Sequence, residues 1–145
     1  MIRKFKDSDI NEVLNIWLDT NIKAHHFVSA QYWQDNFAAV KDMLPKAEIY
    51  VYVNEKNKKI QSFIGLNGNY IAGIFVCEEA QSNGIGKQLL DFVKGIKTEL
   101  SLRVYKRNVR AVHFYQRENF TVYSEGTDES TGEKEYVMIW GRENS

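Results

Sequence analysis

The chain carries one cysteine, Cys77, and one proline, Pro45, in 145 residues. A lone thiol excludes an internal disulfide and offers no CxxC spacing for a metal. Positive and negative side chains number 19 each, so the formal net charge is zero. No bulk field draws the chain to nucleic acid or to an anionic membrane, and neither partner is expected. No apolar run approaches the roughly 20 residues of a membrane-spanning helix. The start, Met1-Ile2-Arg3-Lys4-Phe5-Lys6-Asp7, meets charge at once and lacks the apolar segment of a signal peptide. The expected setting is therefore reducing and cytoplasmic. His25 and His26 are adjacent and His113 is distant, so no helix-face pair forms and no metal is expected. No repeat or low-complexity segment interrupts the chain. Its apolar fraction of 43% is that of an ordinary folded domain. Residues 1–145 are read as one domain.

Periodicity supplies the elements. Ile2 to Phe5 reads as a strand, and Asp7 is placed to cap the helix that follows. Ile10, Val13, Leu14, Trp17 and Leu18 share one helical face. Ser29 caps a second helix whose face is Trp33, Phe37, Val40 and Leu44, and Pro45 ends it. Tyr32, Trp33 and Phe37 are read as core, because apolar helical periodicity usually means burial. Glu48 to Asn54 alternates as a strand, and Ile60 to Leu66 is another. Asn67-Gly68 signals a hairpin into the strand Tyr70 to Val76. A helix runs from Ile85 to near Lys97, and a strand spans Leu100 to Val104. A strand–helix–strand crossover makes those two strands parallel. Asn108 caps a short helix through Glu118, and strands at Phe120–Tyr123 and Tyr136–Trp140 close the chain.

Between the fourth strand and its helix lies Gln81-Ser82-Asn83-Gly84-Ile85-Gly86-Lys87. The first turn of a helix exposes N–H groups without internal partners, and these attract phosphate. A P-loop would need glycine and Ser/Thr where Gln81 and Gln88 stand. A dinucleotide fingerprint would need a third glycine where Leu89 stands. What is left is Gln-x-x-Gly-x-Gly. On this loop alone, a turn that merely packs helix onto strand remains an equal reading.

Gln81-x-x-Gly84-x-Gly86 resembles the coenzyme-binding signature of the GNAT N-acetyltransferases. Asn108-x-x-Ala111-x-x-Phe114-Tyr115, followed by Phe120, resembles the downstream pattern of that family. The spacing between the two motifs agrees, and the resemblance spans essentially the whole chain. The stretch around His26, Phe27, Tyr32 and Trp33 resembles small bacterial members, some of them described as lysine N-acetyltransferases. Asn119 stands where the family usually has glycine, and Glu78-Glu79 where it often has proline.

The resemblance implies an α/β fold of the α+β kind. Its sheet is mixed, mostly antiparallel and seven-stranded, flanked by about four helices, with parallel strands four and five splaying apart. It implies direct transfer of acetyl from acetyl-CoA to a primary amine in a ternary complex. The acceptor is then a protein lysine, an N-terminus or a small amine, and the protein a monomer or homodimer. The N–H groups of Asn83, Gly84, Ile85, Gly86 and Lys87 are assigned to the pyrophosphate, with Gln81 and Ser82 completing the loop. Ile74, Phe75 and Val76 are assigned to the pantetheine arm, along with Asn108 and Ala111. Tyr115 is the candidate general acid. His26 and Tyr70 are candidate acceptor contacts. Asn67 and Glu48, or an ordered water chain, are further candidates for the base. A non-catalytic acyl-CoA sensor of the same fold is the alternative.

Overall fold

Asp9, rather than Asp7, organises the start of the first helix. Asp9 is only 4% exposed, and its carboxylate is fully engaged. It accepts the Lys6 N–H at 2.8 Å and two guanidinium bonds from Arg3, at 2.7 and 3.0 Å. Asp7 and Asp9 share one short 3-10 turn, Asp7–Asp9. Asp9 wins because a single carboxylate there satisfies a helix-end amide and a cation together. The hydrogen bonds from Arg3 hold its pKa below the usual carboxylate value, against the opposing effect of burial.

The computed structural model describes residues 1–141. Helix α1 is Ile10–Ala24 and helix α2 is Ala30–Met43. Ser29 caps α2, its hydroxyl accepting the Tyr32 N–H at 3.3 Å. Trp33 of the aromatic stripe is buried, and Tyr32 and Phe37 pack beside it. The strands are β1 Ile2–Lys4, β2 Glu48–Val53, β3 Ile60–Asn67 and β4 Tyr70–Val76, followed by β5 Glu99–Tyr105, β6 Thr121–Thr127 and β7 Lys134–Gly141. Helices α3, Ile85–Lys94, and α4, Val109–Arg117, complete the element order.

One sheet holds all seven strands, in the order β1-β2-β3-β4-β5-β7-β6. Only β4 and β5 run parallel. This is the architecture the resemblance implied. Alternation along β2 divides the apolar residues between two cores. Tyr50 faces α3, α4 and the residues Leu89, Val93 and Leu102. Ile49, Val51 and Val53 face α1 and α2. Each fully buried Leu or Val contributes roughly 1.5–3 kcal/mol, so the sheet is clamped on both sides. β6 and β7 extend further than the sequence reading allowed. The pairs Gly126↔Glu135 and Thr127↔Lys134 carry the ladder into the polar segment between Tyr123 and Tyr136. Backbone pairing there does not require apolar side chains.

Two local details set up the site. The β3–β4 turn is centred on Gly68-Asn69, with Asn67 paired to Tyr70. That is one residue later than the Asn67-Gly68 reading. Gly68 has φ +61°, and glycine at the first turn position suits the hairpin's twist. Then β4 bulges: Gly65 pairs Gly73, but Leu66 pairs Ile71, so Ala72 is extra. The extra residue re-aims side chains along β4. Ile71 and Ile74 both join the α3–α4 core, while Phe75 turns to the other face and stacks on Phe63 at 4.8 Å.

α4 ends in a left-handed residue, Asn119, which has φ +72° and stands where the family usually has glycine. The Phe120 N–H reaches back to the Tyr115 carbonyl at 2.9 Å, and the Asn119 N–H to that of Gln116 at 3.1 Å. This is a Schellman end, with asparagine standing in for glycine. Replacing Asn119 with Ala puts a less tolerant residue at positive φ. We expect a loss of about 1 kcal/mol, measured as a lowered urea midpoint with unchanged slope.

Candidate active site

β4 and β5 stay together for only two residue pairs, Tyr70↔Ser101 and Ile71↔Leu102. Beyond Ile71 no pairing joins them, and a cleft of about 610 Å³ opens where they part. Gly73, Ile74 and Phe75 line one wall and Val104 and Tyr105 the other. Asn108, Ala111 and Tyr115 of α4 also line it. Val76, assigned to the same arm of the coenzyme, lies one residue beyond the lining part of β4.

The glycine loop sits at the far end of β4. Gly84 caps α3 with φ +76°, and no atom lies within 4 Å of where a Cβ would project. The first intrahelical bond is Gln88 N–H to the Gly84 carbonyl, at 3.1 Å. The amides of Ile85, Gly86 and Lys87 therefore have no partner within the helix. Ile85 is buried and anchors this turn, while Ser82, Asn83 and Gly84 are exposed around it. Gln81 holds the loop: its Nε2 donates to the Val76 carbonyl at 3.1 Å. Arg110 of α4 donates to Gln81 Oε1 at 3.1 Å and to Ser82 Oγ at 3.2 Å. One exposed guanidinium thus stands beside the open amides. Lys106 and Arg107, which precede it in the chain, pair instead with Glu125 at 3.0 Å and Glu133 at 3.4 Å.

Glu78 and Glu79 do not oppose an anion here as a bare pair. Glu78 is paired with Lys23 of α1. Cys77, just before them, keeps its proton: burial, then Glu79, raise its thiol pKa. A neutral thiol is a poor nucleophile.

On α4, Asn108 Oδ1 accepts the Ala111 N–H at 3.3 Å, capping the helix. With that oxygen committed, Asn108 Nδ2 is the donor toward His25 Nε2, 3.1 Å away. His25 is thus neutral, with its proton on Nδ1. That nitrogen is buried and has no partner among the described residues. Burial lowers the imidazole pKa to about 4, in the same direction. His25, not His26, lines the cleft. As the residue closing α1, it turns its ring between Trp33 and Tyr105, with centroids at 5.4 and 5.0 Å. The next residue, His26, then projects outward and is exposed.

Tyr115 is 8% exposed, lines the cleft, and makes no hydrogen bond among the described residues. Burial raises its phenol pKa, with a smaller push from Tyr70. Tyr70 enters the same cleft and is 37% exposed. Two proposed bases lie elsewhere. Glu48 is committed to the Tyr50 hydroxyl at 2.7 Å and to Lys97 at 3.0 Å. Asn67 sits at the hairpin outside the lining. The sequence reading missed the acidic wall formed by Asp128, Glu129 and Glu135. The only available signal was a charged residue, Glu135, on the Val137 face of an otherwise apolar strand.

A site with open helix-start amides, a split parallel strand pair and a buried, uncommitted tyrosine is suited to a phosphate-bearing acyl donor. The model for the acetyltransferase (GNAT) domain matches residues 45–122. Peptidyl-lysine N-acetyltransferase YiaC of Escherichia coli is 32% identical over 142 residues, covering 97% of this chain and 96% of its own. The solution structure of apo YjaB from Escherichia coli superposes with a TM-score of 0.85 at 25% identity, over 97% of this chain and 96% of that one. At the level of fold, PaiA N-acetyltransferase from Thermoplasma acidophilum, solved in complex with coenzyme A, has a TM-score of 0.81 at 17% identity, covering 97% of this chain and 98% of its own. This chain belongs to the GNAT family and is an N-acetyltransferase.

Proposed function

We propose that the chain acetylates the ε-amine of lysine in proteins or peptides, with acetyl-CoA as donor and direct attack in a ternary complex. One observation carries the reading. The hydroxyl-bearing Tyr115 lines the cleft where β4 and β5 part, and the open amides of Ile85, Gly86 and Lys87 lie past the end of β4 that forms one wall of that cleft. The helix start and Arg110 suit a diphosphate, and the exposed Ser82, Asn83 and Gly84 leave it room. The unpaired edge of β4 near Ile74, Phe75 and Val76 suits a pantetheine amide pairing as an added strand. Asn108 and Ala111 close the other side. The thioester supplies the activated acetyl group. Lysine as acceptor rests on the naming of the related Escherichia coli enzymes and on the acidic wall, which suits a cationic amine. Positioning of the two reactants is the main source of rate. The acyl-CoA sensor reading is less favoured, because a sensor has no use for an uncommitted Tyr115 hydroxyl at the reacting end.

The test is turnover. With acetyl-CoA and lysine peptides, free thiol should appear together with a mass increase of one acetyl group on the peptide. Tight coenzyme binding by calorimetry, with no acetylation of any lysine peptide, would overturn the lysine reading. The same result across every amine acceptor would favour the sensor.

A further inference from the structure

Proton removal from the acceptor is left unassigned by everything above. A lysine ammonium has a pKa of about 10.4 and cannot attack until it loses a proton. β4, from Tyr70 to Val76, carries no carboxylate. The titratable groups around the cleft are His25, Tyr70, Arg103, Tyr105, Tyr115, Asp128, Glu129 and Glu135. Most are already committed. His25 spends Nε2 on Asn108 and buries Nδ1. Asp128 accepts the Tyr105 hydroxyl at 2.6 Å and the Ser130 N–H at 2.9 Å. Glu129 is exposed on the β6–β7 turn.

Glu135 differs from all of these. Its side chain is 13% exposed and makes no hydrogen bond among the described residues. Its nearest cation, Arg103 Nη1, is 3.8 Å away, beyond hydrogen-bond reach, and that side chain is 60% exposed. A largely buried carboxylate without a hydrogen bond is costly and calls for a cation. Glu135 stands opposite Tyr105 on β5, and Tyr115 lines the same cleft. The tyrosine hydroxyl and this carboxylate both line the cleft without a hydrogen bond among the described residues. Burial, then the charge of Asp128, raise the Glu135 pKa against the pull of Arg103. That strengthens it as a base.

We propose that Glu135 receives the acceptor's ammonium group and takes its proton, making it the catalytic base of the transfer. This rests on the acetyl-transfer reading above. The carboxylate takes one proton from the ammonium, and the neutral amine attacks the thioester carbon. The N–C bond forms, the C–S bond breaks, and the departing sulfur takes the Tyr115 proton. The nitrogen's second proton returns to Tyr115 through water, and Glu135 passes its own to solvent. Each turnover releases one proton.

The decisive comparison uses two acceptors: a lysine peptide, protonated at pH 7, and an aminooxy peptide, already neutral there. Glu135→Gln should lower kcat/KM for the lysine peptide about a hundredfold. With the aminooxy peptide it should stay within a few-fold of the unmodified enzyme. Equal losses with both acceptors, or no loss with lysine, overturn the assignment. Arg103→Gln gives a second readout if the first variant folds poorly. Removing that cation should move the acidic limb of the kcat/KM profile to higher pH, and an unmoved limb overturns the proposal. Tyr70, Asp128 and Glu129 share the cleft with this carboxylate and are left unchanged in both variants. Absence of turnover in the unmodified chain would overturn the transferase reading and this proposal together. Turnover indifferent to Glu135 would overturn this proposal alone.

Discussion

Tyr115→Phe should cut kcat by about a hundredfold while leaving acetyl-CoA affinity within about threefold. The split follows from what the hydroxyl touches. In the free protein it has no hydrogen-bond partner among the described residues, so its removal orphans nothing. The ring, which packs against Phe114 at 5.3 Å and Phe120 at 5.6 Å, is retained. Folding and coenzyme binding therefore have little reason to change. Only the departing sulfur loses a donor. Burial raises the phenol's pKa, which keeps it protonated at neutral pH but also makes it a weaker acid. Its help is then chiefly hydrogen-bond donation to developing negative charge, with transfer late. That places the effect toward the lower end of the about 10²–10⁴ range for acid catalysis. Thiol release at saturating substrates measures kcat, and calorimetry measures affinity. A kcat within threefold of the unmodified enzyme would remove Tyr115 from the reaction.

The fold was legible wherever the signal is local. The Asn108 cap is decided within a few residues and appears as read, and the left-handed turn at Asn119 is equally local. The parallel β4–β5 pair followed from the length of its crossover. The site was less legible, because its chemistry depends on contacts between distant segments. Sequence brought attention to a pair of histidines but could not say which ring turns inward. That is decided by Tyr105 and Asn108, some 80 positions away. Glu78 gives no local sign of being paired, because its partner, Lys23, lies 55 residues earlier. Glu135 could be given a face by alternation, but not the cleft beyond that face. The two-residue slip at Asp9 and the one-residue slip at Gly68 have a different origin. Neighbouring residues of the same chemistry competed there, and tertiary contacts or strand pairing chose between them.

The contact between His25 and Asn108 predicts acid sensitivity of the fold itself. Unfolded, the imidazole titrates at about 6.5, whereas in the fold its pKa falls to about 4. Between those values the unfolded chain takes a proton that the folded chain refuses. Stability is therefore full above the upper value and is lost as pH falls toward the lower one, by up to about 3 kcal/mol. Protonation would also set two donors against each other, since Asn108 Nδ2 already points at His25 Nε2. The start of α4, the helix that carries Tyr115, would lose that tie. Glu135 works in the opposite sense. Its raised pKa makes the folded state take up protons first and offsets part of the loss. His25→Gln separates the two, because the Gln carbonyl can accept from Asn108 but cannot be protonated in this range. Urea unfolding at pH 7, 5.5 and 4 should show the unmodified chain losing markedly more stability than this variant. Parallel pH profiles for the two proteins would mean that His25 takes up its proton as readily in the fold as in the unfolded chain, and the neutral ring assigned here would be wrong.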